Sequence, residues 1–250
     1  MSIIKLALEG EAGYFTSLAL SGDELERVRE IITNQWLRTI KNAAGENVAA
    51  EFASIGMARY HERSHLLDHV SIWPKIGRLL DPNEVLEIRA MSLFEKLEDE
   101  FGPFQLSDEE NIGRELIYWR LVRPDAASDV GPLHADAWFW ELGHGTTPPG
   151  HQRIKVWIAI FCFETVSGFV FSPGSHKSVC PYEAVSKHGM IKPQIRIDKS
   201  KLNIVPFEAK PAEAIVFHDR LLHGGVVGTK STRVSMEFTM FVKNENYYIK

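Results

Sequence analysis

The chain has 250 residues, of which 44% are hydrophobic and 24% charged, and its formal net charge is −5. This length and composition support a full buried core, and we expect one domain, 1–250. The acidic balance provides no overall basic surface, so neither nucleic acid nor an anionic membrane is an expected partner. Cys162 and Cys180 are too few for a disulfide framework, and the longest apolar run, 156–163, is too short to span a membrane. These features favour a cytoplasmic protein.

The N-terminal part of the chain has the apolar spacing of amphipathic helices. Ser21 or Asp23 can cap a helix that continues through Leu37, because its apolar residues recur three or four positions apart. A second helical pattern runs from about 84 to 101, where a Gly-Pro pair ends it. We therefore predict that 1–112 is mainly helical.

From about residue 113 the apolar residues alternate with polar ones, and Pro, Gly and Asp separate the segments. Strands joined by turns, preceded by helices, predict a mainly β fold with a barrel or jelly roll over 113–250. The helices are expected to pack outside one sheet. The predicted strands lie near 114–122, 133–141, 154–163, 168–172, 203–208, 213–218 and 232–242.

A candidate metal site begins in the predicted strand at 133–141. His134 and Asp136 are two positions apart, so they face the same side of a strand and present an imidazole beside a carboxylate. A third ligand must come from elsewhere, and His223 follows the predicted strand at 213–218. Two histidines and one carboxylate leave three octahedral positions open, as iron(II) oxygenases require, whereas zinc favours a closed tetrahedron. We expect these three residues to hold iron(II).

The last predicted strand carries a candidate site for a carboxylate. Arg233 follows His223 by ten positions, and Ser235 shares its face of the strand. A guanidinium is a planar, permanently charged fork for a carboxylate, and the hydroxyl adds a further hydrogen bond. We expect the pair to bind the distal carboxylate of 2-oxoglutarate. The alternative is a surface arginine on an edge strand.

Five motifs, in their order and spacing, resemble the phytanoyl-CoA dioxygenase-like family over about residues 115–242. The motifs are H-A-D at 134–136, V-W-I-A-I at 156–160, S-G-F-V-F-S-P-G-S-H-K at 167–177, F-H-D-R-L-L-H-G-G at 217–225 and R-V-S at 233–235. The resemblance implies a double-stranded β-helix (jelly-roll, cupin-like) core with iron(II) at one end. It also implies that dioxygen and 2-oxoglutarate are consumed to hydroxylate a small-molecule substrate, with succinate and carbon dioxide released and ascorbate in support.

The resemblance also assigns site residues by position. The matching positions are His134, Asp136 and His223 for the metal, Arg233 and Ser235 for 2-oxoglutarate, and Trp157 for the lining of the co-substrate pocket. The chain departs from the family pattern between the first ligands and the tryptophan, where the segment 143–151 is longer than usual. Because such loops surround the iron in the family, the longer segment leaves open which substrate the protein accepts.

Other histidines compete for the metal. His218 stands five positions before His223, but the resemblance puts the ligand directly before the glycine pair, so we expect His218 to hydrogen-bond in the wall. The residues His61, His65 and His69 recur at four-residue spacing, which on a helix could form a zinc site. No other motif supports that site, and a solvated helix or loop is the favoured interpretation.

Strand parity predicts further residues of the cavity. If Trp157 faces inward, so does Lys155, and Tyr118 with Arg120 can face inward from the preceding strand. With Arg153 at the rim, these cations suit a small, polar, anionic substrate such as an acidic sugar or amino-acid derivative. The alternatives are that Lys155 and Tyr118 serve 2-oxoglutarate itself, or that Lys155 extends its ammonium to solvent.

Two tryptophans follow the first two candidate ligands. Trp138 and Trp140 continue the ligand face of the predicted strand and are candidates for the cavity wall or for the hydrophobic core.

A hydroxylase of a small polar molecule is the leading hypothesis. The alternatives are an oxygenase of an acyl or lipid-like substrate and a non-catalytic jelly-roll binding module, which would lack a ligand or the arginine pair. Halogenation is disfavoured because Asp136 occupies the position that a halide would take.

Overall fold

The computed structural model describes residues 3–164, 168–187 and 190–244, so Ser167 of the motif at 167–177 lies outside the described residues. The helices are α1 (Ile3–Glu9), α2 (Gly22–Ala44), α3 (Glu46–Ile55), α4 (His69–Ile72), α5 (Pro82–Arg89), α6 (Ser92–Phe101) and α7 (Asp136–Glu141). The strands are β1 (Tyr14–Ala19), β2 (Gln105–Leu106), β3 (Tyr118–Val122), β4 (His151–Phe161), β5 (Phe169–Phe171), β6 (Tyr182–Lys187), β7 (Met190–Ile195), β8 (Val205–Phe207), β9 (Glu213–His218), β10 (His223–Gly225) and β11 (Arg233–Lys243).

Two antiparallel sheets form the jelly roll that the sequence predicted. The major sheet has the order β1-β9-β4-β11, and β2 and β3 both pair with the free side of β11. The minor sheet has the order β10-β5-β8, and β6 with β7 forms a separate hairpin. The long pair β4 and β11 forms the centre of the major sheet, with Val242 opposite Gln152 at one end and Val234 opposite Phe161 at the other.

Alternation along the central strands separates two cores. On β4, Val156 and Ile158 point to the helices, whereas Trp157 and Ala159 point to the minor sheet. The N-terminal helices cover the outer face of the major sheet, as predicted. The core between the sheets is formed by Trp157, Ala159, Cys162, Phe169, Phe171, Phe207, Ala209, Ile215, Phe217 and Leu221.

The predicted helices are present, with one division. Of the two possible caps, Ser21 starts α2: its hydroxyl accepts from the Glu24 amide, and the Glu24 carboxylate accepts from the Ser21 amide. The single helix predicted over 84–101 is two helices, α5 and α6. Glu24 also explains that break, because its carboxylate accepts the Ser92 amide at 2.5 Å and so satisfies the start of a new helix.

Six of the seven predicted strands are present, with ends shifted by a few residues, but the strand predicted at 133–141 is wrong. Only His134 pairs there, and α7 begins at Asp136. Consecutive aromatic residues explain the difference, since Trp138 stacks on Tyr182 while Trp140 packs on Phe241. A helix distributes successive side chains around its axis, whereas a strand sends them to two faces only.

Several strands were not predicted. They are β1 and β2, which lie in the mainly helical part and still join the major sheet, together with β6, β7 and β10. None of the helices in the described part of the chain combines the length and apolar character needed to cross a lipid bilayer.

Candidate metal centre

A reciprocal backbone bridge brings His134 and His223 together. The amide of each donates to the carbonyl of the other, at 2.9 and 2.8 Å, and the two ring centroids are 4.4 Å apart. Each ring has its Nδ1 atom 2.8 Å from a carbonyl oxygen, that of Pro132 for His134 and that of Leu221 for His223. A carbonyl only accepts, so each Nδ1 carries the hydrogen and each Nε2 keeps its lone pair for a metal.

Asp136 completes the group from the first residue of α7. Its Oδ1 atom lies 3.5 Å from Nε2 of His134 and 3.6 Å from Nε2 of His223. One ligand atom from each residue lies within 4.8 Å of the others, which is the spacing of donors around one ion. Oδ2 of Asp136 is buried and has no hydrogen-bond partner among the described residues. The structure therefore brings together the three residues that the sequence proposed as ligands.

The protonation states of this group suit a metal. Burial alone would raise the pKa of Asp136, but Lys155 and the two histidines outweigh it and hold the pKa well below its usual range. Burial lowers the pKa of His223 to about 4, against the opposing effect of Asp136. At neutral pH the site thus offers a carboxylate and a neutral imidazole, the forms that bind divalent metal ions.

Beside these residues lies a polar pair without partners. Arg233 is 3% exposed and Ser235 is fully buried. Nε of Arg233 and Oγ of Ser235 have no hydrogen-bond partner among the described residues. The Arg233 guanidinium carbon lies 5.6 Å from the centre of the Trp157 ring, which is itself buried between the sheets. A buried donor without a partner is costly, so the pair fits an anionic carboxylate that the protein binds.

A glycine leaves room for that arginine. A Cβ atom at Gly225 of β10 would lie 3.3 Å from Nη2 of Arg233 and 3.0 Å from Cγ1 of Val130. Both separations are tighter than ordinary contact, so a side chain here would displace the guanidinium. At Gly224 an added Cβ would meet Leu133 at 3.5 Å or more, which is ordinary contact.

We expect Gly225→Val to weaken 2-oxoglutarate binding by about tenfold or more, because small displacements of a charged fork forfeit a large part of its binding energy. Metal binding should stay unchanged. Calorimetric titration of the metal-loaded protein with 2-oxoglutarate measures the effect, with Gly224→Ala as the control. Equal affinities in the Gly225→Val and wild-type proteins would show that this glycine does not shape the anion site.

Lys155 and Tyr118 lie next to the metal group inside a buried ionic network. The ammonium of Lys155 donates to the Tyr118 hydroxyl at 3.0 Å, and that hydroxyl donates to Glu237 at 2.9 Å. Arg120 donates to the other oxygen of Glu237 at 2.7 Å. Burial opposes ionisation of Lys155, but Tyr118 and the surrounding carboxylates raise its pKa well above its usual range. The Lys155 and Tyr118 side chains are both buried, and their proposed role in the cavity stays a prediction.

The competing histidines have other partners. Nδ1 of His218 lies 3.2 Å from Asp219 and accepts the Arg220 amide at 3.1 Å, and the ring faces His176 at 5.3 Å. That is the wall position expected for His218. His61 and His65 lie in short 3-10 helices, whereas His69 is the first residue of α4. His61 contacts the Thr232 hydroxyl and His69 contacts the Tyr60 hydroxyl, each at 3.0 Å.

Trp138 and Trp140, which were candidates for the cavity wall, have different neighbours from those expected on a strand. Trp138 is buried against Tyr182 of the hairpin, and Trp140 contacts Phe241 and the guanidinium of Arg153. They therefore do not continue a strand face that carries the ligands. An unassigned residue, Phe139, is instead the aromatic neighbour of His134, edge-on at 5.4 Å.

Two acidic residues of the site were not assigned from sequence. Glu237 shares the inward face of β11 with Arg233 and Ser235, so strand parity could have indicated it. Glu109 comes from the segment before β3, and its carboxylate accepts from Thr239 at 2.7 Å and from Lys75 at 2.8 Å. Sequence spacing contains no signal for that contact.

Fold and site together have the architecture of the non-haem iron and 2-oxoglutarate oxygenases: a jelly roll with two histidines, one carboxylate and a buried arginine whose Nε has no hydrogen-bond partner among the described residues. The sequence matches the family model for phytanoyl-CoA dioxygenase (PhyH) over residues 26–233, and the chain belongs to that family. The family resemblance inferred from the five motifs is thereby confirmed. No curated protein sequence matches the chain significantly.

Solved structures share this fold at low sequence identity. EvdO2 from Micromonospora carbonacea var. aurantiaca has a TM-score of 0.57 and 14% identity, over 96% of this chain and 90% of that chain. EctD from S. alaskensis, solved with bound Fe, has a TM-score of 0.56 and 14% identity, over 97% and 77%. SnoK, a non-heme alpha ketoglutarate dependent carbocyclase from nogalamycin biosynthesis, has a TM-score of 0.52 and 14% identity, over 97% and 84%. At these identities the likeness concerns the fold.

Proposed function

We propose that this chain is an Fe(II)- and 2-oxoglutarate-dependent dioxygenase that hydroxylates a C–H bond of a small organic molecule. The observation that carries the proposal is the pair Arg233 and Ser235, whose Nε and Oγ atoms are buried without hydrogen-bond partners among the described residues. Arg233 lies against Gly225, two residues after His223 of the group His134, Asp136 and His223. A metal-binding jelly roll without co-substrate chemistry has no use for a buried guanidinium with such an unsatisfied donor. Membership of the dioxygenase family supports the same reaction class.

Each residue of the site has a defined task in this proposal. Iron(II), when bound, would supply the activation of dioxygen, coupled to oxidative decarboxylation of 2-oxoglutarate to succinate and carbon dioxide. His134 and His223 would present Nε2 to the metal because their Nδ1 hydrogens are held by carbonyls. Arg233 and Ser235 would hold the distal carboxylate of the co-substrate and so fix its orientation.

Exclusion of water is the task of the aromatic core between the sheets. Trp157 lies under the Arg233 guanidinium, and Phe169 stacks on the His223 ring with centroids 5.1 Å apart. Phe217 meets the same ring edge-on at 4.7 Å. These apolar surfaces lower the local dielectric, which strengthens each ionic contact inside the site.

The charge of the substrate is less defined than the sequence suggested. Each cation that favoured an anionic substrate has a carboxylate partner: Arg120 pairs with Glu237 and Arg153 donates to Asp219 at 2.8 Å. Lys155 lies within 3.9 Å of three carboxylate groups. These paired cations do not distinguish an anionic from a neutral polar molecule. We therefore propose a small polar substrate and test acyl or lipid-like molecules in the same assay.

The test is succinate formation. The purified protein, supplied with iron(II), ascorbate and 2-oxoglutarate, is expected to release succinate slowly alone and faster with a fraction of a metabolite extract that contains its substrate. The product should gain the mass of one oxygen atom. Parallel arms with polar metabolites and with acyl thioesters separate the two substrate classes. Metal and 2-oxoglutarate binding without any succinate, in all arms, would favour the non-catalytic binding module instead.

A further inference from the structure

Lys155 occupies a position between the proposed metal ligands and a buried acidic cluster. It is only 4% exposed, and it projects from β4 on the same side as Trp157. Its ammonium lies 3.9 Å from Oδ2 of Asp136, 3.7 Å from Glu237 and 3.8 Å from Glu109. A single lysine thus links the metal group to two carboxylates that take no part in binding the metal.

The charged groups of this cluster are paired with one another. Glu109 also accepts from Lys75, and Glu237 also accepts from Arg120. Burial opposes the ionisation of Glu109, but Lys155 and Lys75 together lower its pKa to about 2. Because Lys155 is buried, donates to the buried Tyr118 hydroxyl and lies near carboxylates, its ammonium is positioned by the protein itself.

The two oxygens of the Asp136 carboxylate have different surroundings. Oδ1 faces the Nε2 atoms of His134 and His223, at 3.5 and 3.6 Å. Oδ2 faces away from them towards Lys155, with no hydrogen bond from the described residues. The carboxylate is therefore oriented to offer one oxygen to the metal and the other to an ammonium ion.

We propose that Lys155 is a positioning residue that keeps Asp136 a one-oxygen ligand. The proposal rests on the proposed function, since it concerns the same metal site. Its consequence is that the coordination positions needed by 2-oxoglutarate and dioxygen stay open, because the second carboxylate oxygen is held by the lysine. The Tyr118 hydroxyl and Glu237 act one step further out, by fixing the ammonium.

Two other roles for Lys155 make different predictions. It could bind 2-oxoglutarate directly, as the sequence suggested, and would then leave the metal site unchanged until the co-substrate is added. It could serve only to neutralise Glu109 and Glu237, and would then affect stability without affecting the metal. The spectrum of the bound metal before addition of 2-oxoglutarate distinguishes positioning from both alternatives.

The experiment uses cobalt(II) as a spectroscopic substitute for iron(II). Lys155→Met removes the ammonium at nearly constant volume, and the double variant Lys155→Met with Glu109→Gln does so while removing one acidic charge, which protects folding. Glu109→Gln alone is the matched control. Absorption and low-temperature EPR spectra of each cobalt-loaded protein are recorded first. The same samples are then titrated with 2-oxoglutarate by calorimetry.

Both variants that lack Lys155 are expected to give an altered cobalt spectrum before 2-oxoglutarate is added, and then a dissociation constant for it raised by about tenfold or more. Glu109→Gln alone should resemble the wild type. A wild-type cobalt spectrum in both variants overturns the proposal, whether or not 2-oxoglutarate binding is weakened. Failure of the wild-type protein to bind 2-oxoglutarate would count against the proposed function, while the spectra without it still decide the role of Lys155.

Discussion

Replacing His223 with alanine is expected to abolish succinate formation while the protein keeps a cooperative unfolding transition. The ring belongs to the three-residue group that we propose binds the metal, and its Nε2 has no role in the hydrophobic core. The same result is expected for His134→Ala and Asp136→Ala. A metal ion that binds the folded state raises the unfolding temperature, so each variant should also lose the rise that cobalt(II) or iron(II) produces in the wild type.

His218→Ala is the matched control for this prediction, because it removes a histidine from the same segment. Its ring contacts Asp219 and the Arg220 amide and lies outside the group of three. We expect the variant to keep iron-dependent activity and the metal-induced thermal shift. Metal binding that survives loss of His223 but disappears with loss of His218 would show that the ligand assignment is wrong.

Arg233→Ala is expected to weaken 2-oxoglutarate binding by about 10- to 100-fold, since charge-assisted hydrogen bonds contribute roughly 1.5–3 kcal/mol. Metal affinity should change little. Calorimetric titrations with metal and then with 2-oxoglutarate separate the two effects. Arg233→Lys should restore only part of the loss, because an ammonium lacks the planar two-point geometry of a guanidinium.

The same arginine provides a stability test. Its Nε atom is buried without a partner when no ligand is bound, which is costly for the folded state. Arg233→Met keeps much of the volume and removes the charge, so we expect the ligand-free variant to unfold at the same or a higher temperature than the wild type. An unchanged Michaelis constant for 2-oxoglutarate in Arg233→Ala, or a large loss of stability in Arg233→Met, would remove this residue from the anion site.

Much of the architecture was predictable because it depends on periodicity and capping. The period-two pattern located the strands β4, β9 and β11, whose inward and outward residues alternate through the core apart from a register shift where Val234 pairs with Phe161. Helix α2 followed from its cap and its apolar spacing. By contrast, β1 is marginal in pattern, and its pairing is decided by β9, a partner distant in sequence. The strands β6 and β7 are also marginal in pattern, and they pair with each other.

His134 and Asp136 lie together, but not for the reason inferred from the sequence. His134 and Asp136 were predicted to meet as alternate residues of one strand. They meet because a single bridge to His223 ends the strand and α7 begins at once, with the Ala137 amide bound to the carbonyl of Asp219 at 2.9 Å. Trp138, Phe139 and Trp140 are consecutive, and so short an apolar run does not distinguish a helix from a strand by periodicity.

Charge in the cavity was the least predictable property. Strand parity predicted that Lys155 and Arg120 face inward; the structure buries Lys155 but leaves the Arg120 side chain 40% exposed. Their carboxylate partners are Glu237, on the same strand face as Arg233, and Glu109, which comes from an irregular segment. Because ion pairing depends on such long-range contacts, the cations that suggested an anionic substrate are paired with the protein's own carboxylates instead.

The most direct measurement of the central claim is an anaerobic calorimetric titration of the wild-type protein and of Asp136→Ala, with iron(II) first and 2-oxoglutarate second. We predict one iron(II) bound per wild-type chain, followed by 2-oxoglutarate binding that is much weaker when the metal is omitted. Asp136→Ala should lose both events. Binding of 2-oxoglutarate with equal affinity in the presence and absence of iron(II), or iron(II) binding that is unaffected by loss of Asp136, would contradict the proposed oxygenase site.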